Sequence, residues 1–151
     1  MDEAETANQP LTDDLGFLLS RASAVLARAA STALAPLELR VRSYSVLALA
    51  ADHDGGITQR SIAALVGLDP SQVVSLVDGL QERGLVDRTP HPGDRRNKLV
   101  TVTERGRELR SRAQDSVAEQ DGRCVAHLPE QQLDQLRAAL RSIAFPGDGG
   151  R

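Results

Sequence analysis

The strongest constraint on the fold is a complete helix-start signal that follows directly after a short helical segment. Asp69 is a typical N-cap residue, Pro70 follows at the first helical position, and Gln72 stands three residues after the cap. The preceding segment, QRSIAALV, is predicted to be a short helix that Thr58 caps and that ends near Gly67. Because only a tight turn separates the two segments, they are predicted to form a helix-turn-helix pair.

After Gly84 the pattern changes from helical spacing to alternation, which predicts two short strands at residues 85–88 and 99–102. Between them lies TPHPGDRRNK, whose proline, glycine and charge predict an exposed hairpin tip. A helix pair followed by a hairpin with a basic tip indicates a winged helix-turn-helix. The expected fold class is mainly α (α+β), with a two-stranded β wing.

The flanking segments are predicted to be helical. Residues 11–35 form one long helix that Pro36 ends, and residues 41–51 form a more uniformly apolar helix that should lie inside the domain. Thr103 with Glu104 opens a long polar helix, and a final helix starts after Pro129. The final helix carries a stripe of Leu133, Leu136, Leu140 and Ile143 that has no evident partner in a core built mainly from Ala, Leu and Val. We therefore expect the stripe to be buried in a dimer, together with the first helix.

These elements divide the chain into five expected parts. They are a disordered acidic N-terminus (1–10), an N-terminal dimerisation helix (11–36), a winged helix-turn-helix DNA-binding domain (37–103), C-terminal dimerisation helices (104–145) and a disordered tail (146–151).

Charge is distributed unevenly along the chain. The net charge is −3, yet residues 81–112 contain nine bases and five acids. The longest apolar run, residues 46–51, is far shorter than the roughly 20 residues that span a bilayer, and the first ten residues show no targeting signal. A single cysteine, Cys124, excludes an intramolecular disulfide and a Cys-rich zinc module. These features predict a cytoplasmic protein with no membrane partner, no metal and no cofactor.

The second helix of the pair is predicted to enter the major groove of DNA with its N-terminal half. Its inward face is predicted to consist of Val73, Leu76, Val77 and Leu80. Gln72 can pair with adenine, Ser71 and Ser75 can donate to phosphates or base edges, and Val74 can contact a thymine methyl group. The alternative is that these are ordinary exposed helix residues.

The hairpin tip supplies the second set of candidate contacts. Arg95 and Arg96 can enter the adjacent minor groove or clamp phosphates, while His91 and Lys98 add backbone contacts. The alternative for this charge run is a solvated surface. The residues predicted to contact DNA are Thr58, Gln59, Arg60, Ser71, Gln72, Val74, Ser75, His91, Asp94, Arg95, Arg96 and Lys98.

Residues 58–106 resemble the DNA-binding part of the multiple-antibiotic-resistance regulator (MarR) family. The resemblance rests on GLDPS, LVDGLQERGLVDR, the D-x-R of the wing at Asp94 and Arg96, and LVTVTERG. With the flanking helices it covers residues 11–143. It implies a homodimer with recognition helices about one DNA turn apart and a pseudo-palindromic operator. It also implies repression, or occasionally activation, that a small ligand or an oxidant relieves.

The chain departs from the common family pattern on the recognition helix. Ser75 and Gly79 stand where arginine or another polar residue is frequent, so electrostatic attraction in the major groove should be weaker. Asp78 would repel phosphate unless Arg96 or Arg88 neutralises it, and on that reasoning Arg95 is the freer of the two wing arginines.

The family resemblance places effectors near the junction of the first two helices with the DNA-binding lobe. Arg21 and Tyr44 are the candidate polar groups there and Phe17 a candidate apolar wall. The alternative is that Phe17 and Tyr44 fill the core while Arg21 is solvated. The effector could be a phenolic or otherwise anionic molecule.

Cys124 offers alternatives to a ligand-responsive regulator. It could be a redox sensor or an inert thiol, or it could bind a metal with His127, three residues away, and His53. Catalysis is not expected, because no nucleophile with a neighbouring base, carboxylate pair or phosphate-binding glycine loop has recognisable spacing. A winged helix that binds protein instead of DNA remains a further alternative, which salt-dependent duplex binding would distinguish.

Overall fold

The computed structural model describes residues 10–147 of the chain. The disordered ends predicted at residues 1–10 and 146–151 therefore lie largely outside the described residues, which exclude 1–9 and 148–151. The elements in order are α1 (Leu15–Leu34), α2 (Val41–Asp52), β1 (Ile57–Thr58), α3 (Gln59–Val66), α4 (Pro70–Glu82), β2 (Val86–His91), β3 (Asp94–Val102), α5 (Glu104–Cys124) and α6 (Glu130–Ala144).

Side-chain caps set the starts of several helices. The first helix was expected to begin at Leu11, but α1 begins at Leu15, because the Asp14 carboxylate accepts a hydrogen bond from the backbone N–H of Phe17 at 2.8 Å. A single 3-10 turn, Leu11–Asp13, precedes it. Thr58 caps α3 as predicted, accepting from the N–H of Ser61 at 3.1 Å.

The sheet has three antiparallel strands in the order β1-β3-β2, so the two-stranded wing predicted from the sequence is present and a short third strand, β1, pairs with it. In β1, Ile57 and Thr58 pair with Val100 and Leu99. The strands of the wing are also longer than predicted, because β2 and β3 stay paired almost to the turn at Pro92 and Gly93. The polar composition of this segment predicted a loop. Pairing between β2 and β3 satisfies its backbone N–H and C=O groups instead, so the strands extend into it.

One apolar core joins α2, α3, α4 and the sheet. Val46 and Leu47 of α2 are fully buried, as are Val73 and Val77 of α4. The prediction that α2 lies inside the domain is confirmed, and so is the inward face predicted for α4, with Leu76 half-buried. This core holds α4 in place with its opposite face exposed.

The LVTVTERG motif has a packing explanation at the junction between β3 and α5. The Thr103 hydroxyl donates to the carbonyl oxygen of Gly84 at 2.7 Å and accepts from the N–H of Gly106 at 3.0 Å. A β-carbon on Gly106 would lie 2.0 Å from the carbonyl oxygen of Leu85. Only glycine therefore allows α5 to approach the lobe this closely.

The terminal helices leave apolar side chains in solvent. In α6 no residue from Glu130 to Ala144 is buried, and Leu136, Leu140 and Ile143 are exposed. In α1, Leu15, Leu18 and Val25 are exposed as well. Within residues 10–147, no single helix is long and apolar enough to cross a membrane; α3 and α4 meet that test only as a pair bent by 113°.

Candidate nucleic-acid interface

The N-terminus of α4 is held by a capping box. The Asp69 carboxylate accepts from the Ser71 N–H at 2.9 Å and from the Ser71 hydroxyl at 2.6 Å, while Gln72 Oε1 accepts from the Asp69 N–H at 3.3 Å. The hydrogen bonds from Ser71 lower the pKa of Asp69, with its side-chain hydroxyl as the larger cause. Two predicted DNA contacts, Ser71 and Gln72, therefore also take part in the cap.

The remaining predicted contacts on α4 are Val74 and Ser75, and both are exposed on the face opposite the core. Asp78, which was expected to repel phosphate, is exposed on the same side. The Ser75 hydroxyl donates weakly, at 3.4 Å, to the carbonyl oxygen of Ser71. This face is free to approach a groove of DNA.

Arg88, on β2, is the central polar residue of the lobe, and the sequence reasoning considered it only as a possible partner of Asp78. Its Nη2 forms an ion pair with Asp78 Oδ1 at 2.6 Å. Its Nη1 donates to Gln81 Oε1 at 2.6 Å, and its Nε donates to Gln59 Oε1 at 2.9 Å. One guanidinium thus joins the wing to α4 and to the start of α3.

This ion pair answers the question that Asp78 raised. Arg88 neutralises the carboxylate, and Arg96 does not. Within residues 10–147, Arg95 and Arg96 both lack an ion pair. The reason for calling Arg95 the freer of the two therefore disappears.

The turn of the wing is shaped by its own polar side chains. Asp94 accepts from the N–H of Arg96 at 3.0 Å and from Asn97 Nδ2 at 3.1 Å. His91 Nδ1 accepts from the N–H of Gly93 at 3.0 Å. Asp94 and His91, which were predicted as DNA contacts, are thus engaged in holding the turn, and the basic side chains around them are exposed.

A groove of about 560 Å³ separates the wing from the helix pair. It brings together six of the predicted contact residues, since Thr58, Gln59 and Arg60 meet Val74, Arg96 and Lys98 there. Arg88, Pro70 and Asn97 complete the lining. Four of these nine residues are basic and none is acidic, so the groove is suited to a polyanion.

In residues 10–147, the hollows described in this subsection do not bring Phe17, Arg21 and Tyr44 together. Arg21 is exposed in a shallow hollow of α1 with Val25, Arg28 and Thr32. Phe17 is half-buried, and Tyr44 packs against the core, where burial raises the pKa of its hydroxyl despite the nearby Arg110. Arg110 itself pairs with Asp52 at 2.6 Å and so ties α5 to the end of α2.

A larger hollow, of about 690 Å³, lies where α1 ends, α2 begins and α4 passes by. Leu39, Val41 and Leu76 provide apolar lining, and Arg40 and Arg42 provide positive charge. Sequence reasoning pointed to this junction but missed these residues, because periodicity does not show which side chains face a cavity.

The residues behind the alternative hypotheses are dispersed. Cys124 is half-buried. His53 donates through Nδ1 to the carbonyl oxygen of Leu49 at 2.7 Å, which ties its ring to its own helix. In the part of the chain that the structure describes, no three His, Cys, Asp or Glu residues form a group that could hold a metal ion.

An exposed recognition helix, a paired wing and a basic groove between them define a winged helix-turn-helix DNA-binding protein. Comparison with known proteins makes this more specific. The MarR family model matches residues 37–97. The HTH-type transcriptional repressor Rv2887 of Mycobacterium tuberculosis is 30% identical over 135 residues, which cover 88% of this chain and 96% of that protein. The chain therefore belongs to the MarR family of transcriptional regulators.

Two solved structures are similar along almost the whole chain. CouR from Rhodococcus jostii RHA1, bound to p-coumaroyl-CoA, is 52% identical with a TM-score of 0.87, covering 95% of this chain and all of that one. A transcriptional repressor CouR bound to a 23-mer DNA duplex is 30% identical with a TM-score of 0.80, covering 92% of this chain and all of that one.

Proposed function

We propose that this MarR-family regulator is a repressor that binds a pseudo-palindromic operator as a homodimer, through the groove between α4 and the wing. The observation that carries the proposal is the lining of that groove, which exposes Arg60, Arg96 and Lys98 and includes no acidic residue, while Arg88 beside them is paired with Asp78. Phosphate contacts of this kind position a protein on DNA, and α4 then reads base edges. In this role the protein binds DNA and catalyses no reaction. The proposal therefore includes a cytoplasmic location, where the protein meets its operator.

The helix α4 contributes contacts of a restricted kind. Gln72 Oε1 accepts the N–H of Asp69 at 3.3 Å, which holds the side chain near the cap. Its NH₂ group can donate to guanine O6 or N7, adenine N7, thymine O4 or a phosphate, whereas the bidentate pair with adenine requires the oxygen as an acceptor as well. Because an amide oxygen has two lone pairs, it either accepts from adenine as a second hydrogen bond or leaves the cap.

Homodimerisation follows from the terminal helices. In α6 the stripe containing Leu136, Leu140 and Ile143 is exposed, although an amphipathic helix gains stability only by burying such a stripe. A second copy that covers this face, together with the exposed leucines of α1, would also supply the second recognition helix for a two-fold operator.

The DNA-binding proposal is tested by selecting duplexes from fragmented genomic DNA and titrating them by fluorescence anisotropy at several salt concentrations. Wild-type protein should enrich an inverted repeat and show a negative log–log salt slope. Replacing Arg95 and Arg96 together by alanine should reduce the slope by about 1 for each phosphate that the variant no longer binds. The matched control, Arg107→Ala with Arg123→Ala, makes the same change in net charge outside the groove. An unchanged slope in the wing variant would show that the wing does not contact DNA.

For the effector, we propose an anionic thioester of coenzyme A with an aromatic acid. The support is the 52% identity to a CouR that binds p-coumaroyl-CoA, together with the hollow beside α2. Its apolar lining suits an acyl group, and Arg40 and Arg42 suit phosphates. Because the hollow borders Leu76 of α4, an occupant would lie directly against the recognition helix.

The effector proposal is tested by adding p-coumaroyl-CoA, coenzyme A or free p-coumaric acid to the protein–operator complex. The thioester should release DNA at lower concentration than either fragment. Arg40→Gln with Arg42→Gln should weaken the response, whereas Arg21→Gln should leave it unchanged. The reverse pattern would favour the site predicted at Phe17, Arg21 and Tyr44.

A further inference from the structure

Asp78 occupies a position on α4 from which a recognition helix can contact bases. Ser71, Val74, Ser75 and Asp78 stand at positions i, i+3, i+4 and i+7 of the helix, and all four are exposed. Residues at these spacings lie on one face of a helix. The recognition helix of a homeodomain reads bases in the major groove with side chains at the same relative positions. Asp78 is therefore placed with the candidate base contacts, although its charge alone would predict repulsion from DNA.

The negative charge of Asp78 is balanced within the protein. Arg88 Nη2 lies 2.6 Å from Asp78 Oδ1, and the Arg88 side chain is 17% exposed while that of Asp78 is 54% exposed. An unpaired carboxylate on this face would be repelled by the phosphates that border the groove. Because the guanidinium is the more buried partner, the pair as a whole is neutral and the carboxylate is the part that faces DNA.

The same contact fixes the position of the carboxylate. Arg88 is itself held from other elements, since Nη1 donates to Gln81 Oε1 at 2.6 Å and Nε donates to Gln59 Oε1 at 2.9 Å. A side chain that is already anchored loses less conformational freedom when it binds. In residues 10–147 Asp78 Oδ2 accepts no hydrogen bond and forms no ion pair, so this oxygen is free to accept one from DNA.

Asp78 also supplies the strongest hydrogen-bond acceptor on this face of α4. Val74 is apolar. The Ser71 hydroxyl donates to Asp69 at 2.6 Å, and the Ser75 hydroxyl donates to the carbonyl oxygen of Ser71 at 3.4 Å. Hydrogen bonds to an ionised group are roughly twice as strong as those between neutral groups. A base that offers a donor to Asp78 should therefore be favoured more strongly than one that offers a donor to either serine.

We propose that Asp78 determines operator specificity by accepting, through Oδ2, a hydrogen bond from the N4 amino group of a cytosine in the major groove. Cytosine presents a donor there, whereas guanine O6 and N7 and thymine O4 are acceptors that repel a carboxylate. Adenine presents a donor at N6 beside an acceptor at N7 and fits a carboxylate less well. Arg88 is the positioning residue of this contact. The inference deepens the proposed binding of DNA through α4 and rests on it.

The inference is tested by selecting operators from a random duplex pool with wild-type protein and with Asp78→Asn, and by comparing the enriched motifs. Asparagine has the same shape, and its oxygen can keep the hydrogen bond from Arg88 while an NH₂ group replaces Oδ2. The wild-type motif should contain a cytosine in each half-site where the variant prefers a base that presents an acceptor. Replacing that cytosine by thymine should weaken wild-type binding about tenfold and should not weaken binding of the variant.

The matched control is Glu82→Gln, which removes one negative charge from the exposed end of the same helix. It should enrich the wild-type motif and change affinity equally on all duplexes. Arg88→Lys keeps the charge but lacks the planar group that holds the carboxylate, so it should reduce discrimination at the same position. Urea unfolding shows whether each variant is folded under the conditions of the binding measurement.

Wild-type protein alone supplies a measurement that no folding defect affects. Among the four bases at the position that Asp78→Asn alters, its affinity should be highest for cytosine, lower for adenine and lowest for thymine and guanine. An identical motif for Asp78→Asn, with affinity raised equally on all duplexes, would show that Asp78 only repels DNA and would overturn the inference while operator binding stands. If wild-type protein enriches no motif, the proposed function fails and the inference fails with it.

Discussion

The winged lobe and the terminal helices differ in how completely a single chain can bury them. In the lobe, fully buried side chains from α2, α3, α4 and the sheet form one core, and Arg88 connects the wing to both helices of the pair. In α6 no residue is buried, and its leucines face solvent. The lobe is thus complete in one copy, while the terminal region needs a second copy to bury its apolar surface.

The largest effect is expected from charges placed on the stripe of α6. Leu136→Lys with Leu140→Lys should produce a monomer and weaken operator binding by about a hundredfold or more, because the two half-sites lose their linkage. Sedimentation velocity and anisotropy would measure both effects. Gln131→Lys with Gln135→Lys adds the same charge on the opposite face and should leave the dimer intact. A stable dimer of the leucine variant would place the interface elsewhere.

Two glycines on α5, Gly106 and Gly122, test how closely this helix packs against the winged lobe. Gly106→Ala would place a β-carbon 2.0 Å from the carbonyl oxygen of Leu85, so unfolding should become easier by about 3 kcal/mol. Gly122→Ala meets nothing within 4 Å and should stabilise the protein by up to about 1 kcal/mol. Urea unfolding measures both values. Equal effects at the two sites would mean that α5 can move away from the lobe.

Arg88 and Arg95 separate a positioning residue from a candidate DNA contact. Arg88→Ala leaves Asp78 unpaired beside the DNA-binding face, so operator affinity should fall about tenfold, or about 1.4 kcal/mol, and stability should fall as well. Arg95→Ala should weaken DNA binding without changing stability. Arg88→Lys keeps the positive charge but lacks the planar guanidinium group that binds Asp78, Gln81 and Gln59 together, so it should recover only part of the operator affinity. Full recovery with lysine would reduce the role of Arg88 to neutralising Asp78.

The smallest effect concerns the cap of α4. Hydrogen bonds from Ser71 lower the pKa of Asp69 below its ordinary 3.8, so the folded state favours the carboxylate. This contribution is fully present above pH 3.8 and is lost as the pH falls through the lowered pKa. Asp69→Asn keeps a capping side chain that does not titrate, so the difference in urea midpoint between the two proteins should change below pH 3.8. A constant difference down to about pH 2 would exclude this contribution.

Much of the lobe could be predicted because its signals are local. The caps at Thr58, Asp69 and Thr103 and the helix ends near Gly67 and Gly84 depend on a few residues each, and the structure places each as expected. The third strand could not be predicted, since two residues carry no periodicity and β1 exists only through pairing with β3. The full length of the wing strands could not be predicted either, because pairing between β2 and β3 extends them through a polar segment that has no apolar alternation.

The DNA-binding site was predictable as a set of residues but not as a set of roles. Sequence pattern placed the basic groups near the wing, whereas the fold decided that Asp94 and His91 hold the turn and that Gln72 shares the cap. Arg88 binds Gln81, Asp78 and Gln59, which lie 7, 10 and 29 residues away in other elements. The periodicity within a single helix or strand does not predict such contacts.

The sequence by itself determined the order of the helices and of the two wing strands, the inward face of α4, the basic wing and the unpartnered stripe of α6, because each depends on propensities and spacings within a few residues. Only the tertiary structure decided which carboxylate Arg88 neutralises, why residue 106 must be glycine and where arginines converge on a hollow. Those outcomes depend on distances between segments far apart in the chain, which are set by packing of the common core.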